Sequence, residues 1–280
     1  MKRTLIVMIL AALFIPISSS VLSYAEEIVP KEGKGFLTNI AHRGASAYAP
    51  ENTMAAFAKG LEMGADFIEF DVQMTKDGIP IVIHDATVNR TTNGAGKVSD
   101  YTLKEIKKLD AGSWFGKEYA GETIPTFNEV LNEFGGKINI LIELKYPEHH
   151  PGIEEKVAYA LREHNLVHSD SYEVIIQSFN YESIKTSKGF LPEIPHGVLV
   201  GKGWRKITSQ QLEEFSSYAD YFNPSFDLVT SELVELVHLT NMTMYAYAIK
   251  NQSEAGRLYS LGVDGIITDF PEYVSSVVKK

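Results

Sequence analysis

His42 and His84 each close a short apolar run, Ile40-Ala41 and Ile81-Val82-Ile83, and two carboxylates one residue apart, Glu69 and Asp71, lie between them in the chain. Imidazoles titrate near neutrality, so two of them can take and give a proton within one reaction. Alternate residues of a strand share a face, which puts the Glu69 and Asp71 carboxylates on one side. Glu143, at the end of a further apolar run, can supply a third oxygen, and three carboxylates with water suit a hard cation, Ca2+ or Mg2+. The chain has no cysteine, which counts against zinc or copper. Paired acid–base groups beside such a site point to metal-assisted chemistry on a phosphate ester. Each residue alone has a plainer reading, as a solvated or helix-capping carboxylate or a satisfied core histidine. Their coincidence at the ends of apolar runs carries the inference.

The elements that must position these residues follow one rhythm. From Leu37 onward, short apolar runs alternate with amphipathic stretches, as in βα units around a parallel sheet. The runs Thr38–Ala41, Phe67–Val72, Ile138–Leu144, Glu173–Gln177, Gly197–Val200, Tyr221–Asn223, Thr243–Ile249 and Gly265–Thr268 read as strands. Segments of helical spacing trail them, from Asn52–Met63 to Glu272–Val278. This is the pattern of a (β/α)8 barrel of the α/β class, in which reactive groups collect at the carboxyl ends of the strands. A ninth run, Ile79–His84, follows the turn Lys76-Asp77-Gly78, too short for a crossover helix, and should fold back antiparallel. A turn centred near Asp77 and Gly78 sets Asp71 about opposite His84. A slip of one residue would send His84 to the other face. Residues 86 to about 125 break the rhythm and read as an insertion at the barrel mouth, where Trp114 and Phe115 pin it to the barrel or, as the alternative, touch the alcohol portion of a substrate.

Bulk properties narrow the function. Residues 1–25 read as an export signal, with Lys2 and Arg3, the apolar stretch Leu5–Ile17 and the small-x-small end Ser23-Tyr24-Ala25. The apolar stretch is short of the roughly 20 residues of a membrane span. Cleavage would leave one domain over residues 26–280, secreted or held at the cell wall, with no stable insertion in the membrane. The whole chain carries a net charge of -10, made more negative by loss of the two leader cations. That balance argues against nucleic acid and against a polybasic membrane-surface protein. The absence of cysteine in an exported chain implies a core that stands without disulfides.

The strings Ala41-His42-Arg43-Gly44, Pro50-Glu51-Asn52-Thr53, Glu69-Phe70-Asp71-Val72, Val82-Ile83-His84-Asp85, Ile142-Glu143-Leu144-Lys145, Gln177-Ser178-Phe179 and Gly262-Val263-Asp264-Gly265-Ile266-Ile267-Thr268-Asp269 together resemble the glycerophosphodiester phosphodiesterases, in order along the chain. The resemblance implies His42 as general base and His84 as general acid, exchanging duties in a second half-reaction. It implies Glu69, Asp71 and Glu143 as holders of one divalent cation, and Arg43 and Lys145 as positive charge for the phosphate. Glu51, Phe179 and Tyr247 complete the candidates for phosphate and substrate. Arg43 could instead pair with Glu51, and Lys145 with Glu143; Phe179 and Tyr247 could be ordinary barrel packing. Tyr247 stands where relatives carry a tryptophan that walls the glycerol pocket. The implied partners are small glycerophosphodiesters or the poly-glycerolphosphate of cell-wall teichoic acid, and the implied product is sn-glycerol 3-phosphate. A phospholipase D-like action on lysophospholipids, or a catalytically idle phosphodiester-binding protein, are the alternatives.

Overall fold

The computed structural model describes residues 36–168, 172–204 and 206–278, so the leader expected over residues 1–25 lies outside the described residues. The strands are β1 (Thr38–Ala41), β2 (Phe67–Met74), β3 (Pro80–Val82), β4 (Asn139–Leu144), β5 (Val174–Ser178), β6 (His196–Val200), β7 (Tyr221–Pro224), β8 (Tyr245–Ile249) and β9 (Gly265–Thr268). The helices are α1 (Met54–Glu62), α2 (Leu103–Ile106), α3 (Phe127–Phe134), α4 (Ile153–Glu163), α5 (Tyr181–Phe190), α6 (Ser209–Ser216), α7 (Ser231–Leu239), α8 (Gln252–Leu261) and α9 (Pro271–Val278).

The sheet runs β7-β6-β5-β4-β2-β1-β9-β8, all parallel, with β3 paired antiparallel to β2 off the main path. Single bridges Tyr221–Thr243 and Ser225–Tyr247 bring β7 to β8 and nearly close the ring. With the helices alternating around it, this is the (β/α)8 barrel expected from the sequence.

Alternation builds the barrel in two skins. Ile68, Phe70, Val72, Ile140, Ile142, Leu144, Val174 and Ile176 point outward into one cluster with α1, α3, α4 and α5. Ile40, Phe67, Leu141, Ile175, Tyr221, Tyr245 and Ile267 form a separate interior cluster. Two residues beyond these interior positions come His42, Glu69, Glu143, Gln177, Asn223, Tyr247 and Asp269. One apolar layer therefore plugs the barrel, and the next layer of the same faces is polar and lies at the mouth. The site is a consequence of strand periodicity.

The hairpin differs from the expectation in one respect. Val72 pairs with Val82, Gln73 with Ile81 and Met74 with Pro80, and the Ile83 N–H donates to the Asp71 carbonyl at 3.0 Å. Asp71 therefore faces Ile83, not His84. The cause is a three-residue turn closing Thr75 on Ile79, with Gly78 at φ 75° in the left-handed position such a loop requires. The Thr75 hydroxyl fixes it by accepting from the Ile79 N–H at 3.0 Å.

The segment after β3 has a core of its own. Ile81, Ile83, Val88, Val98, Ile106, Ala111 and Ile124 are buried together, and the Val82 N–H donates to the Pro125 carbonyl at 2.9 Å. These aliphatic groups anchor the segment where aromatic anchors were expected. Trp114 stays 41% exposed, with its indole N–H on the Ala111 carbonyl and its ring edge on Phe115.

Candidate active site

His42 leaves the end of β1 held by its backbone N–H on the Thr268 carbonyl of β9. Its Nδ1 lies 2.6 Å from Asp269 Oδ1, and the Ser46 hydroxyl donates to the same oxygen at 3.0 Å. Burial would raise the Asp269 pKa, but the bonds from His42 and Ser46 hold it below the usual carboxylate value. An ionised carboxylate only accepts, so Nδ1 carries the proton and Nε2 is the free nitrogen.

The turn after His42 needs its glycine. Gly44 has φ 79° and lies against the Ala56 backbone of α1, where a Cβ would collide with the Ala56 carbonyl. That close approach lets Arg43, itself at φ 56°, turn back over the mouth. Its backbone N–H donates to Glu69 Oε2 at 2.8 Å, Nη1 donates to Glu51 Oε1 at 2.7 Å, and Nε lies 3.5 Å from Asp71 Oδ2. The Arg43 Nε is buried without a hydrogen-bond acceptor.

Glu69, Asp71 and Glu143 are buried, with one oxygen of each lying within 4.8 Å of the others. Lys145 Nζ donates to Glu143 Oε1 at 2.6 Å and stands 3.5 Å from Asp71 Oδ1. Asn52, at φ 57°, donates from Nδ2 to Asp71 Oδ2 at 2.8 Å. Burial and mutual repulsion raise the Glu69 pKa, and burial likewise raises that of Glu143. Burial also opposes ionisation of Asp71, but Lys145, Arg43 and the Asn52 bond hold its pKa down. Three carboxylates facing two nearby cations resist full ionisation. A hard divalent cation accepting oxygen ligands would relieve that, so the donor set fits one.

His84 reaches the site by a route that strand alternation does not predict. The ladder stops at Val82 and the chain bends at His84 and Asp85. Gln73, two residues past Asp71 on the same face, directs its Nε2 to the carbonyls of Ile83, His84 and Asp85 at 2.8, 3.0 and 2.8 Å. The His84 Nδ1 lies 2.7 Å from Asp85 Oδ1. Burial lowers the His84 pKa, with Arg43 and Lys145 acting the same way against Asp71 and Asp85.

The remaining expected residues divide. Glu51 is engaged by two arginines, Arg43 and Arg90, the latter through Nη1 and Nη2 at 2.6 and 2.8 Å. The pairs Arg43–Glu51 and Lys145–Glu143, open alternatives from the sequence, both form. Phe179 and Tyr247 meet edge to face at 5.9 Å, with Lys145 Nζ 5.6 Å from the Phe179 ring. Beside them a cavity of about 500 Å3 is lined by Glu143, Lys145, Tyr146, Glu148, Phe179 and Asn180, among others, room for a small ligand. Sequence reasoning did not name Asp269, Gln73, Asn52 or Arg90 as site residues. Asp269 carried a signal, since it follows the interior Ile267 by two residues, as His42 follows Ile40.

The model of the glycerophosphoryl diester phosphodiesterase family matches residues 42–273. The chain is 40% identical over 285 residues to the glycerophosphodiester phosphodiesterase of Bacillus subtilis (strain 168), covering 96% of this chain and 97% of that one. It is 43% identical over 248 residues to the enzyme of that name from Caldanaerobacter subterraneus subsp. tengcongensis, covering 86% and 97%. Among solved structures it resembles an Oleispira antarctica phosphodiesterase in complex with the product sn-glycerol-3-phosphate, with a TM-score of 0.77, 32% identity and coverage of 88% and 98%. Matched by the family model over most of its length and by these relatives almost end to end, the chain belongs to the glycerophosphoryl diester phosphodiesterase family and is an enzyme that hydrolyses glycerophosphodiesters.

Proposed function

We propose that the chain is a divalent-cation-dependent glycerophosphodiester phosphodiesterase in which His42 and His84 move the protons. The observation that carries this reading is the pair of histidines, each with Nδ1 on a carboxylate and Nε2 free, flanking a buried carboxylate triad. Glu69, Asp71 and Glu143 would hold Ca2+ or Mg2+, which supplies positive charge for the phosphoryl oxygens when bound. Arg43, whose buried Nε has no hydrogen-bond acceptor, and Lys145 add fixed positive charge from the protein.

In the first half-reaction, His42 Nε2 takes the proton of the glycerol 2-hydroxyl as that oxygen attacks phosphorus. The bond from phosphorus to the alcohol oxygen breaks, and His84, entering as imidazolium, gives that oxygen its Nε2 proton. An anionic phosphodiester beside it favours the protonated ring. In the second half, His84 takes a proton from water, which opens the cyclic phosphate, and His42 returns its proton to the 2-oxygen. The products are the alcohol and sn-glycerol 3-phosphate. Attack from within the substrate gains effective molarity and leaves the protein mainly orientation and charge to provide. The cavity beside Phe179 and Tyr247 suits the small polar body of the substrate. Export through residues 1–25 belongs to this reading, and the mass of the secreted chain, expected to begin at Glu26, checks it.

A coupled assay for released sn-glycerol 3-phosphate, run on several glycerophosphodiesters and on purified teichoic acid, tests the activity and ranks the substrates. His42→Ala and His84→Ala should each cost roughly 10²- to 10⁴-fold in kcat with unchanged fold. Wild-type rates in either variant would remove the proton-transfer assignment.

A further inference from the structure

Arg90 comes from the segment inserted after the hairpin and lies outside the triad, yet it makes four charge-assisted hydrogen bonds into the site. Nε and Nη2 donate to the two oxygens of Asp85 at 2.8 and 2.9 Å, and Nη1 and Nη2 donate to the two oxygens of Glu51 at 2.6 and 2.8 Å. Asp85 Oδ1 thus accepts from Arg90 and from His84 Nδ1 together. The result is one continuous chain, Arg43–Glu51–Arg90–Asp85–His84, linking the turn after β1 to the bend after β3.

That chain has a specific task. His84 stands on a bend with no ladder partner of its own, and Asp85 is its sequence neighbour, so the pair cannot brace itself. A fork that grips both oxygens of Asp85 fixes the rotation of that carboxylate, and hence the plane of the imidazole bonded to it. Its other grip, on Glu51, refers that orientation to Arg43 and the rest of the mouth. We infer that Arg90 is a positioning residue for His84, aligning the imidazole Nε2 with the departing alcohol through Asp85. The inserted segment is then a working part of the catalytic machinery as well as cover. This inference rests on the assignment of His84 as the acid toward the leaving alcohol.

The test uses that task. An alkyl alcohol such as choline needs a proton as it departs; 4-nitrophenol leaves without one. The readout is kcat/KM for release of the alcohol, which covers only the steps up to its departure, from glycerophosphocholine and from the 4-nitrophenyl ester of sn-glycerol 3-phosphate. Arg90→Ala should lose on the order of 10- to 100-fold on the choline ester and far less on the nitrophenyl ester. Both rates come from one preparation, so their ratio is independent of the folded fraction. Arg90→Lys keeps the charge without the fork and should remain deficient on the choline ester. An equal fall on both esters, a fall confined to KM, or full rescue by lysine would overturn the inference, since each marks a structural or phosphate-binding role. His84→Ala separates the two layers. If it discriminates between the esters and Arg90→Ala does not, the role of Arg90 alone fails; if it does not discriminate, the assignment beneath it fails as well.

Discussion

His42 and His84 both turn Nδ1 to a carboxylate, at 2.6 and 2.7 Å, but the two pairs stand on different foundations. His42 and Asp269 continue β1 and β9, which pair in register from Thr38–Gly265 to Ala41–Thr268. The sheet alone brings them together across the 227 residues that separate them in the chain. His84 and Asp85 are neighbours in sequence on a bend beyond the last ladder pair, and side chains hold them: Gln73 through three carbonyls, Arg90 through the carboxylate. One arm inherits its geometry from the barrel; the other has been assembled beside it. A barrel places groups at its own strand ends, and here the second imidazole comes instead from structure added beside β2.

If the carboxylate triad holds the proposed cation, removing it should silence both arms alike. Exhaustive chelation is expected to abolish turnover, and Ca2+ or Mg2+ to restore it. A cation at about 100 times its dissociation constant adds about 2.7 kcal/mol of stability. For a domain of this size that is a rise in Tm on the order of 5–10 °C. Full activity and an unchanged Tm after chelation would take the cation out of the account.

The comparison itself is tested by replacing each carboxylate. Asp269→Asn leaves His42 on the sheet but no longer dictates its tautomer, and kcat should fall on the order of 10³- to 10⁴-fold with little change in Tm. Asp85→Asn should cost less turnover, roughly 10²- to 10³-fold, because His84 retains the backbone grip of Gln73. The loss should be concentrated on alkyl leaving groups and accompanied by a fall in Tm as Arg90 is released. Equal losses on all substrates with equal Tm changes would mean the arms do not differ as the structure indicates. Gln73→Leu strikes only the second arm. It frees three carbonyls, costing roughly 1–3 kcal/mol of stability for each left buried and unpaired. Alkyl-ester hydrolysis should drop about 10-fold through the misplaced imidazole, a loss read in kcat and not in KM.

The same division explains what was readable in the sequence. Eight strands, with His42, Glu69, Asp71 and Glu143 at or near the ends of their apolar runs, follow from local patterning, and alternation puts Glu69 and Asp71 on one face. The hairpin was also legible, but its register turned on whether the loop centres on Asp77 alone or on the Asp77–Gly78 bond, a difference that only the backbone at Gly78 decides. Asp269 needed the closure of β9 on β1, a contact between the two ends of the chain. Gln73 read as one more residue of a strand, and its role depends on where the next segment bends. Arg90 lies in a stretch without periodicity, where side-chain ties have no sequence signature. In both arms the histidine was legible from its place at the end of an apolar run, and the partners that hold it were not.

A third histidine sharpens the comparison by having no part in it. His196, on β6, is buried, with Nδ1 on the Ile194 carbonyl at 2.7 Å and Nε2 on the Ser187 hydroxyl at 2.9 Å. A carbonyl only accepts, so Nδ1 holds the proton, and in the neutral ring Nε2 accepts from Ser187. Burial pushes its pKa down to about 4. Folding therefore favours the neutral ring, and the unfolded chain binds the proton first as pH falls. The stabilisation is complete above the unfolded value of about 6.5 and is lost between there and about 4, to a total of roughly 3 kcal/mol. Acidification should thus weaken the fold by a route separate from the two histidine–carboxylate arms. In denaturant unfolding, the stability advantage of the wild type over His196→Gln should shrink by roughly 2–3 kcal/mol between pH 7 and about pH 4.5. The kcat of the folded variant at neutral pH should stay near the wild-type value. An advantage that holds constant across that window would show that folding leaves the His196 pKa unchanged, and acid weakening of the fold would then have to come from other groups.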